Sequence, residues 1–372
     1  MSHWRVGTVT ARRRAWGRAV EYDVELTPSA DRPEPGSVRA LAYLDLVGEL
    51  SQGDRVLLST GALELGLGTG GLAFVIAAPD RLPPDPPGGP GHIVKARYTP
   101  QQYVALAIDE QDSPHHAALA SGPAAAGELE GMPVLVGDVH SALAPILVGV
   151  RHVNPGARVV YLHTDGGALP AAFSMTLARL RDLGWLAASI TVGQSFGGDH
   201  EAVTLHSGLL AARHVLGADL AVVIQGPGNV GTGTPFGFTG IAAGEALNAV
   251  DVLGGRGVGA LRISAADPRE RHYGISHHSR TAYGRIVLAE ATLVLPDLPG
   301  DFGALVAQQA RQLVAEARGD VRLVTQETSG LFAALQACPV PLSSMGRALA
   351  QDAEYFVAQA AAGRFAAGLS AR

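Results

Sequence analysis

The chain has 372 residues, a formal net charge of −6 and a single cysteine, Cys338. That length suits two domains at roughly 100–200 residues each. An acidic balance without a basic stripe argues against a nucleic-acid partner, and one cysteine excludes an intrachain disulfide or a cysteine-rich zinc site. The opening residues, "MSHWRVGTVTARRR", lack an apolar signal region, and no apolar run reaches the ~18 residues of a membrane span without glycine, proline or charge. A cytoplasmic protein with no membrane partner is expected.

Residues 1–80 are expected to form a small all-β domain, barrel- or sandwich-like. Five β-rich runs, "WRVGTVTA", "AVEYDVEL", "SVRALAYL", "DRVLLST" and "LAFVIAA", are parted by Pro, Gly and Asp turns and show no helix-length period. Residues 81–130 form a linker and connecting segment. It opens in the Pro/Gly-rich "PDRLPPDPPGGPG" (79–91) and continues through "HIVKARYTPQQYVALAIDEQDSPHH", readable as a strand pair. This segment carries Lys95, the only lysine among 28 basic residues. A position that keeps a compact ammonium where arginine is used everywhere else suggests a specific partner. Lys95 is therefore expected to meet an anionic ligand from the linker side.

Residues 131–372 are expected to form an α/β domain with a mainly parallel sheet flanked by helices. The apolar runs "MPVLVG", "RVVYLH", "ASITVG", "LAVVIQ", "GALRIS", "ATLVLP" and "VRLVTQ" alternate with helical patterns. Helices are predicted from Pro170 to Gly184, from an Asp199 N-cap to Gly217, and from Thr239 to Gly254.

Ligands of open α/β sheets bind beyond the carboxyl ends of the strands. The residues that follow each strand are therefore the candidates. They are Asp138 and His140, then His163, Asp165, Gly166 and Gly167, then Gln194 and Asp199. After "AVVI" come Gln225, Gly226, Gly228, Asn229, Gly231 and Thr232. Glycines 226, 228 and 231 match the dinucleotide fingerprint, but "TGTPFGF" intervenes where a helix should open, and the next strand ends in serine instead of an acid. NAD(P) is disfavoured. The loop reads instead as backbone N–H groups wrapping an anion, or as a plain irregular crossover. "HTDGGALP" reads as a second anion cradle ahead of a helix.

Asp138-x-His140 and His163-x-Asp165 have the residue types and spacing to share a divalent metal, with Asp138, His140 and Asp165 as the ligand set. "VLVGDVHSALAPIL" resembles the first motif of the metallophosphoesterases, and "GGDHE" (197–201) loosely resembles their Gly-Asn-His-Glu block. Their second acidic block is absent. "HYGISHHSRTAYGR" (272–285) places His277 and His278 just before a strand, where imidazole suits proton transfer. No Gly-x-Ser-x-Gly elbow supports Ser-His-Asp catalysis.

Nine stretches taken together resemble one family: "GALELGLGTGG", "GHIVKARYTP", "DEQDSPHHA", "VHSALAPIL", "TDGGALP", "GQSFGGDHEAVTLHSGLLAA", "QGPGNVGTGT", "GISHHSRTAYGR" and "PLSSMGRAL". The chain is identified by them as a member of a bacterial family catalogued as domain of unknown function 3866. The resemblance runs from near residue 1 to near residue 365. It implies no activity and lends no catalytic residues.

The residues themselves predict a hydrolase or transferase acting on a small anionic, phosphorylated or nucleotide-like molecule. Asp138, His140, Asp165, His277 and His278 would carry the chemistry. Lys95, Gly166, Gly167, Gln194, Asp199 and the loop from Gln225 to Thr232 would hold the ligand. The alternatives are a non-catalytic ligand-binding or sensing protein and a metallophosphoesterase-like, metal-dependent hydrolase. The apolar, low-charge composition is compatible with a homo-oligomer.

Overall fold

A computed structural model of the chain describes residues 3–29, 34, 36–85 and 89–370. Five strands at the N-terminal end, β1 (Trp4–Trp16), β2 (Ala19–Leu26), β3 (Gly36–Tyr43), β4 (Arg55–Ser59) and β5 (Ala73–Ala77), close into a barrel. Each expected β-rich run supplies one of them. Their order, β1-β2-β3-β5-β4 with β3 and β5 parallel, is that of the five-stranded OB barrel. Its interior is filled by Val20, Tyr22, Val24, Ala40, Val56, Leu58 and Val75.

A short antiparallel hairpin, β6 (Ile93–Lys95) and β7 (Tyr103–Ala105), follows the linker. The α/β domain then contributes β8 (Pro133–Val136), β9 (Val159–Thr164), β10 (Ala188–Thr191), β11 (His200–Glu201), β12 (Leu220–Gln225) and β13 (Arg256–Ala260). A small ribbon, β14 (Ile263–Ser264) with β15 (Gly274–Ile275), is followed by β16 (Ala291–Pro296) and β17 (Val321–Gln326). The main sheet has eight strands in the order β11-β10-β9-β12-β8-β13-β16-β17, and every pairing in it is parallel.

Both faces of the sheet are buried, which is why its strands read as near-continuous apolar runs. Val134, Val136, Leu162, Ala221 and Val223 face the helices Leu205–His214, Ala242–Val252 and Gly300–Ala315. Leu135, Tyr161, Val222 and Ile224 face Leu143–Val153, Met175–Asp182 and Ala353–Ser370. The last of these helices is buried along most of its length and crosses Leu143–Val153 with backbone almost touching backbone. A Cβ on Gly149 would lie 1.9 Å from the Ala360 carbonyl oxygen, and one on Gly363 would lie 2.1 Å from that of Ile146.

Two predicted helix starts differ from those observed. Asp199 does not cap a helix: its carboxylate accepts from the backbone N–H and hydroxyl of Ser189, both at 2.8 Å, and pairs with Arg181. His200–Glu201 instead forms the sheet's edge strand, and Thr204 caps the following helix by accepting from Ser207 N. Likewise Pro170 precedes only a 3-10 turn, Ala171–Phe173, and the α-helix starts at Met175 with Ser174 as its cap. A cap must free a short side-chain oxygen toward the first turn; Asp199 is already engaged, whereas Ser174 and Thr204 are placed to do so.

Strand order sets the location of the site. From β8 the chain passes over the position later filled by β12 to reach β9; from β12 it passes over β8 to reach β13. The neighbours β8 and β12 thus send their connections to opposite faces, which opens a crevice at their carboxyl ends. Among the described residues no helix is long and apolar enough to cross a membrane.

Candidate functional site

Asp138 follows β8 and Gln225 ends β12, so both sit at the crevice. They are tied by Gln225 Nε2 donating to the Asp138 carbonyl at 2.8 Å and to Asn229 Oδ1 at 3.0 Å. Asn229 Oδ1 also accepts from Thr239 Oγ1 and Gly240 N, fixing the glycine loop to the start of the next helix. The loop does not open a helix at Gly231. It folds back in a small hairpin, with Gly231 bridged to Phe238 and Thr232 N donating to the Gly237 carbonyl, so the Thr232 N–H is not offered to an anion as expected.

Two different things approach these glycines. A Cβ on Gly226 would lie 2.4 Å from His163 Nε2 and 2.5 Å from the Ala168 carbonyl oxygen; one on Gly167 would lie 2.1 Å from the Gly226 oxygen, and one on Gly166 would lie 2.2 Å from Gln225 Oε1. These three are glycine because the loops after β9 and β12 pack closely, against backbone at Gly167 and against the Gln225 and His163 side chains at Gly166 and Gly226, with Ala168 N donating to the Pro227 carbonyl. The "HTDGGALP" segment is therefore a packed junction. Beyond it, Asn229, Gly231 and Gly233 line a cavity of about 190 Å³ with Phe238, Arg262, Arg269, Arg271, His272, His277 and His278.

That cavity is the candidate site. Asp138 lies beneath it, 4% exposed. Its Oδ2 is buried without a hydrogen-bond partner among the described residues, with His278 Nδ1 at 3.7 Å and Arg262 Nη1 at 3.8 Å. Burial pushes the Asp138 carboxyl up, but His278 and Arg262 outweigh it and leave its pKa below the ordinary value. His278 stacks face to face on Phe238, with ring centroids 3.9 Å apart. His272 Nδ1 lies 2.7 Å from Ser276 Oγ, and His277 Nε2 is buried with no partner among the described residues. Burial, reinforced by neighbouring arginines and His278, pulls His272 down to about 3 and His277 to about 4, so both are neutral imidazoles at pH 7.

The arginines differ in how far they are committed. Arg262 is 4% exposed and also lies 3.3 Å from His278 Nδ1. Arg269 is held by Asp267. Arg271 has no carboxylate partner among the described residues; its side chain makes one long contact, 3.5 Å, to His272 Nε2.

The remaining predicted residues lie elsewhere or serve the fold. Lys95, expected to face an anion, is 1% exposed and its ammonium is already engaged. Its ammonium donates to the carbonyls of Thr191, Ser195 and Ala202 and pairs with Glu201 at 3.2 Å, clamping the β6–β7 hairpin to the sheet edge. The trio Asp138, His140 and Asp165 does not assemble. The His140 ring turns to Ser174 Oγ at 2.6 Å and the Tyr161 hydroxyl at 3.3 Å, and Asp165 accepts from Gln194 N. Gln194 in turn accepts from Arg97 N. Among the described residues, the group of His, Cys, Asp or Glu whose ligand atoms lie within 4.8 Å of one another is His272, His277 and His278. Gly228 borders a separate apolar cleft of about 490 Å³ between barrel and sheet, lined by Tyr43, Phe74, Phe173 and Phe196.

A family model described as "Protein of unknown function (DUF3866)" matches residues 39–363. The chain belongs to the DUF3866 family. No curated protein matches it. Membership assigns no activity, so the reading of this DUF3866 site rests on its geometry. Four of its polar members, Arg262, Arg269, Arg271 and His272, are not among the candidates the sequence singles out. Arg262 was hidden in "GALRIS", taken as strand although β13 ends at Ala260; a charge inside an apolar run is the signal that marks it. Arg269 and Arg271 lie just upstream of the histidine motif, in "DPRERHYG".

Proposed function

We propose that the chain is a hydrolase or transferase that binds a small anionic, phosphorylated or nucleotide-like molecule in the cavity between the glycine loop and the histidine cluster. One observation carries this reading. Three guanidiniums and three imidazoles border one small cavity, and Arg271 at its rim has no carboxylate partner among the described residues. Guanidinium presents a planar fork that suits phosphate and carboxylate oxygens. Neutral imidazoles beside it supply reactive nitrogens, and the buried Asp138 carboxylate behind His278 fits a group that orients an imidazole instead of touching the ligand.

Calorimetric titration with inorganic phosphate, pyrophosphate and a nucleoside diphosphate at low salt tests it. Arg271 is exposed, so Arg271→Ala should fold normally and weaken binding about tenfold or more, the loss of one charge-assisted contact of roughly 1.5–3 kcal/mol. Unaltered affinity in Arg271→Ala, or no binding by the wild type, refutes the site. Turnover separates catalysis from sensing: Asp138→Asn should retain anion binding and lose hydrolysis of the bound phosphoester. An anion that binds with no turnover in a broad phosphoester panel supports the sensing alternative.

A further inference from the structure

We infer that His272, His277 and His278 form a binding site for one divalent transition metal, with Zn²⁺ the first choice, each ring ligating through Nε2. The role given to the metal rests on the anion-site reading above; its binding does not. Three sequence positions in two short segments bring the rings together. Ring centroids are 4.4 Å apart for His277–His278, 4.9 Å for His272–His277 and 5.1 Å for His272–His278. One nitrogen from each lies within 4.8 Å of the others. Tetrahedral three-histidine ligation with an open fourth position is a recurrent zinc arrangement, and ligand nitrogens then sit ~2.0–2.1 Å from the ion. Nitrogens ligating at that distance in a tetrahedron stand about 3.3–3.4 Å apart, so the rings, with nitrogens within 4.8 Å of one another, would have to draw together on binding.

Each ring leaves the same atom available. His272 points Nδ1 at Ser276 Oγ, and its Nε2 has only the long contact from Arg271. His277 Nε2 is buried and, among the described residues, without a partner, an arrangement that costs free energy unless something occupies it. His278 points Nδ1 toward Asp138, whose Oδ2 is itself buried and unpartnered among the described residues. Ligation by His278 Nε2 would place a proton on Nδ1 and aim it at that oxygen, the carboxylate–histidine–metal relay typical of such centres. Arg262 would then release Nδ1 and keep Asp138 alone.

The surrounding charge specifies the metal's partner. Arg262, Arg269 and Arg271 oppose a bare dication, with Asp138 and Asp267 offsetting two of them. A dication is therefore favoured together with an anion that contacts both the metal's open position and Arg271. Metal and phosphate should bind with positive coupling, and by linkage each raises the other's affinity by the same factor.

The test uses the full chain, stripped with a chelator and dialysed against Zn²⁺ or Co²⁺ without substrate. We expect one metal per chain and a tetrahedral Co²⁺ visible spectrum. Both should be lost in His277→Ala and in the milder His277→Gln, with far-UV circular dichroism unchanged, and retained in His206→Ala. Asp138→Asn should weaken the metal about 10–100-fold. Absence of stoichiometric binding, or binding that His277→Ala and His277→Gln leave intact, overturns the metal site. Phosphate binding without metal would then leave the anion reading standing, whereas metal binding without phosphate affinity would remove the anion reading and keep the metal.

Discussion

Lys95→Met separates a structural strut from a ligand contact. Lys95 Nζ donates to the Ser195 and Ala202 carbonyls at 2.9 Å each and to Thr191 at 3.3 Å, and faces Glu201 Oε2 at 3.2 Å. Methionine fills the space but donates nothing. The two short bonds leave carbonyls without that donor, at about 1–3 kcal/mol each, and Glu201 loses its counter-charge. Breaking one side of a buried pair costs about 3–5 kcal/mol overall, and we expect that loss in a urea unfolding curve at pH 7. The pair itself contributes little net attraction. Burial lowers the Lys95 pKa and raises that of Glu201 in spite of their proximity. Lys95→Met/Glu201→Gln should therefore be more stable than Lys95→Met alone. The reasoning fails if Lys95→Met stays within about 1 kcal/mol of wild type. It fails equally if the variant folds with native stability and has lost phosphate affinity.

Two further outcomes follow from the packing. Gly226→Ala should destabilise by about 1–3 kcal/mol or more, because its Cβ meets His163 Nε2 at 2.4 Å; a thermal melt matching wild type contradicts the loop-junction account. His140 and His163 are held by burial at about 3 and about 4, against 6.5 when exposed. The unfolded chain thus takes up their protons first, so this stability is complete above about pH 6.5 and is lost as pH falls from there toward 4 and then 3. Each group removes about 1.4 kcal/mol per pH unit in that window. Unfolding free energies measured from pH 7.5 to 5 should fall, with a shallower slope in His163→Gln; a pH-independent wild type rules this out.

The strands were legible because burial on both faces leaves an apolar run whatever the partner, and the barrel strands because turns punctuate them. Asp138, Gln225 and the glycine loop were legible as strand-end residues, where the topology opens a crevice. What could not be read was pairing across the chain. Nothing local distinguishes a lysine that neutralises carbonyls of β10 and β11 from one awaiting a phosphate, or Gly226, crowded by His163, from Gly231, which borders a cavity. His140 has the spacing of a ligand, yet its ring is taken by Ser174, 34 positions away. Arg262 entered the site only because β13 stops two residues before it.

The contact between Gly149 and Ala360 has a consequence for the order in which the molecule forms. The sheet's first strand, β8, and the helix after it are sealed on one face by Ala353–Ser370, drawn from the other end of the fold. A growing chain that has made β8 through β13 still lacks the helix that packs on β8, β13 and Leu143–Val153, and part of that face stays open until Ala353–Ser370 arrives. Closure of so long a loop is slow. The α/β domain should therefore remain open and aggregation-prone through most of its synthesis, while the barrel, whose strand pairings lie within Trp4–Ala77, is free to close early.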